Sequence, residues 1–308
     1  MSDEVQGYAL SILQDPVDPD LLFLGTEFGL YFSTNAGQNW TRFTAGVPTV
    51  SVMDMAIQER ERDLVLGTHG RSIFVIDDYS SLRGLGTGDF DKRLEILSVT
   101  PGQQYQTNPT SSTRFTGSGE FRGENEPYGV MVTFMASGQD LPHPDEDKER
   151  QRKIEQRQSG PKSASESENV NEDSKDATPK VTVEVMNEEG EIIRTFNMPL
   201  HQGINRLTWD MSVDGVRPAP GPETSPLDDG LPPGPQTPPG SYSIRLSVDD
   251  QQVETGVTTL PDPRSTVSQQ AIEANFAAQM ELQSMQATLV TGLERIDRTR
   301  EDVKTLNG

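Results

Sequence analysis

The sequence of 308 residues has no cysteine, and it is poor in basic charge and in histidine. Without cysteine, disulfide cross-links and thiolate metal sites are excluded. The 26 basic residues are outnumbered by 48 acidic ones, for a formal net charge of -22. Nucleic acid and anionic membranes are therefore not expected as partners, because both require a basic face. No apolar run approaches the ~20 residues of a membrane-spanning helix, so no membrane insertion is expected.

Cofactor and secretion motifs are also missing. The sequence has no glycine-rich phosphate loop and no paired histidine ligands, so we expect no cofactor and no metal. The first residues, Met1–Val5, lack the basic and apolar segments of a signal peptide. We therefore expect no secretory signal on this chain.

What the sequence does contain is a pattern of short strands that repeats. Four strands are predicted in the first unit: Tyr8–Leu13, Leu21–Gly25, Leu30–Ser33 and Trp40–Phe43. The tripeptide around Gly25 returns around Gly67, an offset of 42 residues. Four-strand units of ~40–45 residues are typical of β-propeller blades, and propellers close with ~4–8 of them. Since residues 1–80 hold two at most, we expect the tail of a longer propeller; the alternative is that two blades persist through other contacts.

Two segments of this region resemble a known family. Residues 33–40, STNAGQNW, resemble the Asp-box of BNR-repeat propellers, Ser-x-Asp-x-Gly-x-x-Trp, with Asn35 where the family has Asp. Residues 67–78, GTHGRSIFVIDD, are similar to the final-blade sequence of bacterial sortilin-like (VPS10-like) BNR proteins. Those proteins are often labelled glycosyl hydrolases without proof of activity.

The resemblance implies a structural role for the Asp-box residues Ser33, Asn35, Gly37 and Trp40. In the family, the polar turn side chain bonds backbone amides, the glycine is left-handed and the tryptophan packs between blades. An asparagine still accepts hydrogen bonds, so we expect Asn35 to preserve the turn.

His69 and Arg71 are the candidate ligand-binding residues. They occupy a predicted hairpin between two apolar strands, where propeller loops can face a ligand. The alternative is that Gly67 and Gly70 form a tight turn that His69 caps.

Catalytic residues stay unassigned. Asp54, Asp77 and Asp78 are conceivable general acids, but hydrolysis by two carboxylates requires a facing pair, and a sequence does not show that separation. The alternative is that all three are solvated carboxylates at strand ends.

A second β-rich domain is predicted after the repeats. Residues 81–93 are glycine-rich and predict a linker, and short strands separated by turns recur through 94–262. Such strands predict an Ig-like β-sandwich. Within it, 138–179 is charged and polar and predicts a disordered acidic insert, and the proline-rich stretch 218–239 predicts a loop.

A second resemblance lies in this domain. The pattern Gly-x-Asn-x-x-x-Trp-Asp at 203–210, followed by Pro-Gly-x-Tyr-x-Ile at 239–244, resembles the FlgD-like Ig module that follows the propeller in the same family. Trp209 is then expected in the core. The alternative is a platform on which a sugar stacks.

Residues 263–308 predict a long amphipathic helix. Thr266 and Gln269 fit a capping box, and Gly292 marks a point where the helix could break. Apolar residues recur every seven positions along one seam: Leu282, Leu289, Ile296 and Val303. Three partners for this seam stay open, namely the sandwich, a second helical arm beyond Gly308, and self-association.

These regions predict a mainly β protein: a partial propeller (1–80), a linker (81–93), an Ig-like sandwich (94–262) and a helix (263–308). By resemblance, we expect an extracellular, cell-surface or periplasmic protein that binds glycan or peptide ligands. The alternatives are a glycoside hydrolase of the BNR-repeat type, with its catalytic residues mostly outside this chain, and a purely structural module.

Overall fold

The computed structural model describes residues 5–86, 92–106, 126–138, 140–143, 179–219 and 230–306. In these residues the chain is mainly β, with one long helix at its C-terminal end, as predicted. The chain divides into two compact units, Met1–Ser98 (unit 1) and Val99–Gly308 (unit 2). Most of the predicted acidic insert, 144–178, lies outside the described residues.

Two antiparallel sheets form unit 1. The strands are β1 (Ala9–Gln14), β2 (Leu22–Thr26), β3 (Gly29–Ser33), β4 (Thr41–Phe43), β5 (Ser51–Gln58), β6 (Asp63–His69) and β7 (Ile73–Ile76). They are ordered β1-β2-β3-β4 and β5-β6-β7, so every strand pairs with its neighbour in sequence. The predicted strands of the first repeat each match an observed strand to within one residue.

One hydrophobic cluster joins the two sheets of unit 1. Phe23 and Leu30 come from the first sheet and Leu64 and Leu66 from the second, and all four are fully buried. Removing each from water contributes about 1.5–3 kcal/mol. Tyr79, which follows β7, meets Phe23 edge-on with ring centroids 5.2 Å apart. The sequence after the last strand therefore belongs to the same core.

The first residues of the predicted linker 81–93 form a helix. A short helix, α1 (Ser81–Leu85), starts it, and its Leu82 is buried in the unit 1 cluster. Strand β8 (Leu94–Thr100) follows and crosses the boundary between the units.

Helix α1 also supplies the cation of a buried ion pair. Arg83 donates from Nη2 to Asp15 Oδ2 at 2.7 Å and from Nε at 3.0 Å. The Asp15 carboxylate is fully shielded from solvent, whereas the Arg83 side chain is 22% exposed. Backbone amides of Val17 and Asp18 also donate to Asp15, each at 2.7 Å. Burial alone raises the pKa of Asp15, but these hydrogen bonds outweigh it and the pKa is lowered.

Unit 2 has three groups of strands. They are β9 (Gly102–Gln103), β10 (Val130–Ala136), β11 (Lys180–Met186), β12 (Ile192–Pro199), β13 (Gly203–Trp209), β14 (Ser212–Asp214), β15 (Pro233–Gln236), β16 (Gly240–Val248) and β17 (Gln251–Leu260). A five-stranded sheet has the order β12-β11-β16-β17-β9, β10 pairs with β13, and β14 pairs with β15. All of these pairs are antiparallel except β17 with β9.

Alternation of apolar and polar residues along these strands produces the buried face of unit 2. Val183, Ile244 and Leu246 are fully buried, as the period of two in their strands predicts. Trp209 is fully buried as well, donates from Nε1 to the Ser212 carbonyl at 2.9 Å, and packs edge-on against Tyr242. The interpretation of Trp209 as a core residue is confirmed, and the exposed sugar platform is wrong.

Two local predictions for unit 2 are wrong. The proline-rich stretch 218–239 contains β15, which pairs with β14 at the ends of both strands. The acidic insert was predicted to begin at Gly138, yet Leu141 is buried and the Gln202 amide donates to the Pro142 carbonyl at 2.9 Å. Order therefore continues past the end of β10.

The C-terminal helix, α2 (Gln269–Leu306), is a single element of 38 residues. It does not break at Gly292, and the capping box predicted at Thr266 is wrong. Instead, Ser268 Oγ accepts from the Ala271 amide at 3.3 Å. One side of α2 packs against the β-strands of its own unit, because Gln283 Nε2 donates to the Asp214 carbonyl at 2.7 Å and Val290 is buried.

The ion pair of unit 1 gives the first testable prediction. We expect Arg83→Met to destabilise unit 1 by about 3 kcal/mol at neutral pH, because it leaves the Asp15 carboxylate buried without its cation. The lowered pKa of Asp15 also sets the direction of the pH dependence. The pair stabilises unit 1 fully above the unfolded pKa of about 3.9, and this stability is lost as the pH falls through the lower pKa of the folded state. Amide hydrogen exchange of β2 and β3 measures the change.

Arg60→Met is the matched control, since the Arg60–Glu61 pair is exposed, with side chains 81% and 49% accessible. It should cost no more than about 1 kcal/mol. Equal effects of the two variants would show that the buried pair does not stabilise unit 1.

Candidate functional site

The turn after β3, which carries Ser33, Asn35 and Gly37, is built by side-chain hydrogen bonds. Asn35 Oδ1 accepts from Ser33 Oγ and from the Asn39 amide, both at 2.9 Å, and Ser33 Oγ accepts from the Gly37 amide at 2.9 Å. Gly37 has a φ of +83°, the left-handed conformation that the resemblance implies. A Cβ placed on Gly37 would lie 3.4 Å from the Trp40 ring. The side-chain oxygens of Ser33 and Asn35 thus bond within the turn, as expected of residues that hold its conformation.

The candidate ligand-binding residues lie at the β6–β7 hairpin. His69 ends β6, Arg71 follows it, and both side chains are exposed. The turn is closed by Thr68 rather than by His69: the Thr68 amide and Oγ1 both donate to the Ser72 carbonyl, at 3.1 and 2.7 Å. Both side chains are thus available for a ligand, and binding by His69 and Arg71 stays a prediction.

The carboxylates considered as general acids differ in their surroundings. Asp54 is exposed and accepts from the Met55 amide at 2.9 Å. Asp78 is buried, accepts from the hydroxyls of Ser80 and Ser98, and forms an ion pair with Arg62, whose Nε lies 3.4 Å from Oδ1. Asp78 therefore joins the segment after β7 to its surroundings, as a structural carboxylate does.

A larger groove lies in unit 2, in a place that no sequence motif marks. It has a volume of about 1070 Å³ and runs between α2 and the segments at 104–106, 236–237 and 261–265. We call it the amide groove, after the side chains that line it. The lining includes Gln104, Tyr105, Gln236, Asn275, Phe276 and Gln279.

One wall of the amide groove is held by the pairing of β9 with β17. Beyond β9, the Gln104 amide donates to the Leu260 carbonyl at 2.9 Å. Arg264 Nη2 donates to the Gln106 carbonyl at 3.1 Å and to Asp262 Oδ2 at 2.8 Å. The hydrogen bonds from Arg264 lower the pKa of Asp262, so the pair stays charged and bonded.

The amides of the groove are only partly used by the protein. Gln104 donates from Nε2 to the Thr237 carbonyl at 2.7 Å, and Gln236 donates from Nε2 to the Tyr128 hydroxyl. In the described part of the chain, the Oε1 atoms of these two residues have no hydrogen-bond partner, nor do the side-chain amides of Asn275 and Gln279. The groove therefore presents both donors and acceptors to whatever enters it.

Two aromatic rings accompany these amides. Tyr105 is 41% exposed and meets Tyr128 edge-on, with ring centroids 4.9 Å apart. Burial raises the pKa of Tyr128, so its hydroxyl stays protonated near neutral pH. Phe276 is half-buried on the facing side of α2. The Tyr128 contact orients Tyr105 while leaving part of its ring open.

Charge is balanced within the groove. Among the described residues that line it, only Asp262 and Arg264 are charged, and they are bonded to each other. The formal charge of this described lining is thus zero in a chain of net charge -22. Sequence reasoning missed this site because its residues come from three distant segments; the only local signal was the enrichment of Gln and Asn at the start of α2.

Comparisons with known proteins add little. No protein-family model and no curated protein matches the sequence. Among solved structures, the chain is similar to the extracellular domain of a proposed one-component system from B. thetaiotaomicron, at 10% identity and a TM-score of 0.18. The match covers 82% of this chain and 25% of that one, so the chain spans about a quarter of that structure. A TM-score this low supports no conclusion about fold or function. Within the described residues, no helix combines the length and apolar character needed to cross a bilayer.

The turn after β3 gives a second testable prediction. Asn35→Ala removes the acceptor for the Ser33 hydroxyl and the Asn39 amide, so we expect unit 1 to lose about 1 kcal/mol of stability. Asn35→Asp keeps both hydrogen bonds and should retain stability. Asn39→Ala is the matched control, because Asn39 is exposed and bonds through its backbone. Hydrogen exchange of β3 measures each change, and equal losses for Asn35→Ala and Asn39→Ala would contradict the assignment.

Proposed function

We propose that this chain is a binding protein whose ligand, a glycan or a peptide, lies in the amide groove. The observation that carries the proposal is the set of unpartnered amides beside an exposed tyrosine in a groove of about 1070 Å³. Ligand sites are concave and hold a few convergent polar groups next to aromatic rings. An extended ligand fits a volume at or above the upper end of the ~300–1000 Å³ typical of small-molecule pockets.

Unit 1 is proposed to contribute two blades of an Asp-box propeller, and the β-rich part of unit 2 an Ig-like module. The strand orders β1-β2-β3-β4 and β5-β6-β7 and the bonded turn at Asn35 support the first assignment. Trp209, buried against Tyr242, supports the second. An extracellular or cell-surface location is part of the same proposal.

The seam of α2 is proposed to mediate self-association. Its heptad residues are exposed by 65% at Leu282, 69% at Leu289, 63% at Ile296 and 51% at Val303. Gln283 follows Leu282 and Val290 follows Leu289, and these two residues face the β-strands of unit 2 instead of solvent. A repeat of seven residues suits a second helix that packs knobs into holes.

A binding protein retains its ligand unchanged, and this is the test of the proposal. The whole chain is applied to arrays of oligosaccharides and peptides, and each ligand recovered from it is analysed by mass spectrometry. We expect retention of intact ligands. Shortened products would instead indicate the glycoside hydrolase alternative, and retention of none of them would leave only a structural role. His69→Ala/Arg71→Ala in the same assay tests whether the β6–β7 hairpin also contributes.

Self-association is tested by sedimentation velocity at micromolar concentrations. We expect the wild-type chain to form dimers and Leu289→Glu/Ile296→Glu to be monomeric, because burying an unpaired carboxylate in a helix seam is strongly unfavourable. Gln286→Glu, on the same exposed helix, is the matched control and should remain dimeric. A wild-type chain that is monomeric at every concentration would overturn the proposal.

A further inference from the structure

We propose that the amide groove takes a neutral glycan, with Tyr105 as the ring on which a sugar stacks. This inference rests on the proposed binding function and chooses one ligand class at that site. It joins three observations: the kind of polar group in the lining, the absence of net charge, and the position of the aromatic rings.

Amide side chains match hydroxyl groups. A sugar hydroxyl donates one hydrogen bond and accepts others, so it is best met by a group that does both. Six residues of the lining carry such amides: Gln104, Gln106, Gln236, Gln269, Asn275 and Gln279. Asn275 and Gln279 lie four residues apart on α2, so their side chains are neighbours on one face of the helix. Two adjacent unpartnered amides can bind adjacent hydroxyls of one sugar ring.

Neutrality selects against ionised ligands. Asp262 and Arg264 satisfy each other, at 2.8 Å between Nη2 and Oδ2, and Arg264 is further engaged by the Gln106 carbonyl. An acidic glycan or a charged peptide would find no free counter-ion among the described residues that line the groove. Desolvating its charge there would be costly. An uncharged polyhydroxyl chain avoids that cost.

The aromatic rings supply the apolar part of recognition. A pyranose ring has a face of C–H groups, which packs on an aromatic ring whose face carries partial negative charge. Tyr105 is 41% exposed and so can receive it, and the perpendicular contact with Tyr128 restricts the rotation of the Tyr105 ring. Phe276 lies on the α2 side of the same groove. A bound sugar would therefore meet rings as well as amides.

A peptide is the competing ligand, and the structure favours it less. Peptides commonly add a strand to a sheet edge and place side chains in separate apolar pockets. The lining here is rich in side-chain amides, and the strand next to it, β9, has only two residues. This edge offers a peptide few backbone hydrogen bonds.

Affinity electrophoresis of the whole chain tests the inference. The gels contain xyloglucan, galactomannan, mixed-linkage β-glucan or xylan as neutral probes, and polygalacturonate as the anionic one. We expect retardation by at least one neutral polysaccharide, unchanged between low and high salt because no ion pair is formed. Tyr105→Ala should weaken binding about tenfold through the lost stacking, and Gln279→Ala about threefold through a lost hydrogen bond.

The controls separate the groove from the rest of the surface. Tyr8→Ala removes a tyrosine that is 72% exposed in unit 1, and Gln286→Ala removes an exposed amide of α2 outside the groove. Both should bind as wild type. Since Tyr105 also contacts Tyr128, hydrogen exchange of β10 checks that Tyr105→Ala keeps its fold.

Each outcome bears on one claim. Three results would overturn the neutral-glycan assignment. The chain is retarded by polygalacturonate alone, it is retarded by no neutral polysaccharide, or both groove variants are retarded as much as the wild type. If the arrays show that intact peptides are retained, and Gln279→Ala weakens the binding of those peptides, the binding function stands and the ligand class is wrong. If a neutral polysaccharide binds in the groove and is then shortened, the ligand class stands and the non-catalytic function is wrong.

Discussion

The amide groove depends on the parallel pairing of β9 with β17. A strand of two residues has little stability of its own, and here the residues after it are held by Asp262 and Arg264. The Gln106 amide donates to Asp262 while the Gln106 carbonyl accepts from Arg264, so one ion pair satisfies both backbone groups. Without that clamp, the segment that carries Tyr105 would lose its register against β17, and the groove would lose one wall.

The polar side chains of unit 1 form their hydrogen bonds within the protein, unlike the amides of the groove. Asp15 is bonded to Arg83 and to two backbone amides, Asn35 closes its own turn, and Asp78 joins Ser80 and Ser98. These side chains resemble catalytic or binding residues in type, but their hydrogen-bonding capacity is directed at the protein. In the amide groove, by contrast, that capacity is partly unused. The number of satisfied partners, rather than the residue type, distinguishes a structural group from one that can bind a ligand.

Much of the fold could be predicted from the sequence, because strand periodicity and turn residues act locally. The strands of the first repeat and the recurring short strands of 94–262 followed from patterns within a few residues. Strand β9 could not be predicted, since its only signal is a partner more than a hundred residues away. The helix start at Gln269 was misplaced because two hydroxyl residues, Thr266 and Ser268, could both serve as caps.

The candidate site was less predictable than the fold. His69 and Arg71 are predicted to bind a ligand because they occupy a hairpin between two apolar strands, where propeller loops can face one. Both are exposed, but exposure is ordinary at a hairpin. The amide groove combines the residues after β9, the start of α2 and residues 236–237, and only the Gln and Asn enrichment at the start of α2 gave a local signal. Only the fold brings their amides together, and only the geometry shows which atoms lack partners.

The most direct test of ligand binding in the groove is an NMR titration that follows the side-chain amides of the chain. Side-chain amides of Gln and Asn give their own signals in nitrogen-15 NMR, so Gln104, Asn275 and Gln279 can be followed while a neutral oligosaccharide is added. The account predicts that these signals shift together and saturate at one affinity. Shifts confined to His69 and Arg71 at the β6–β7 hairpin, with the groove amides unchanged, would contradict it.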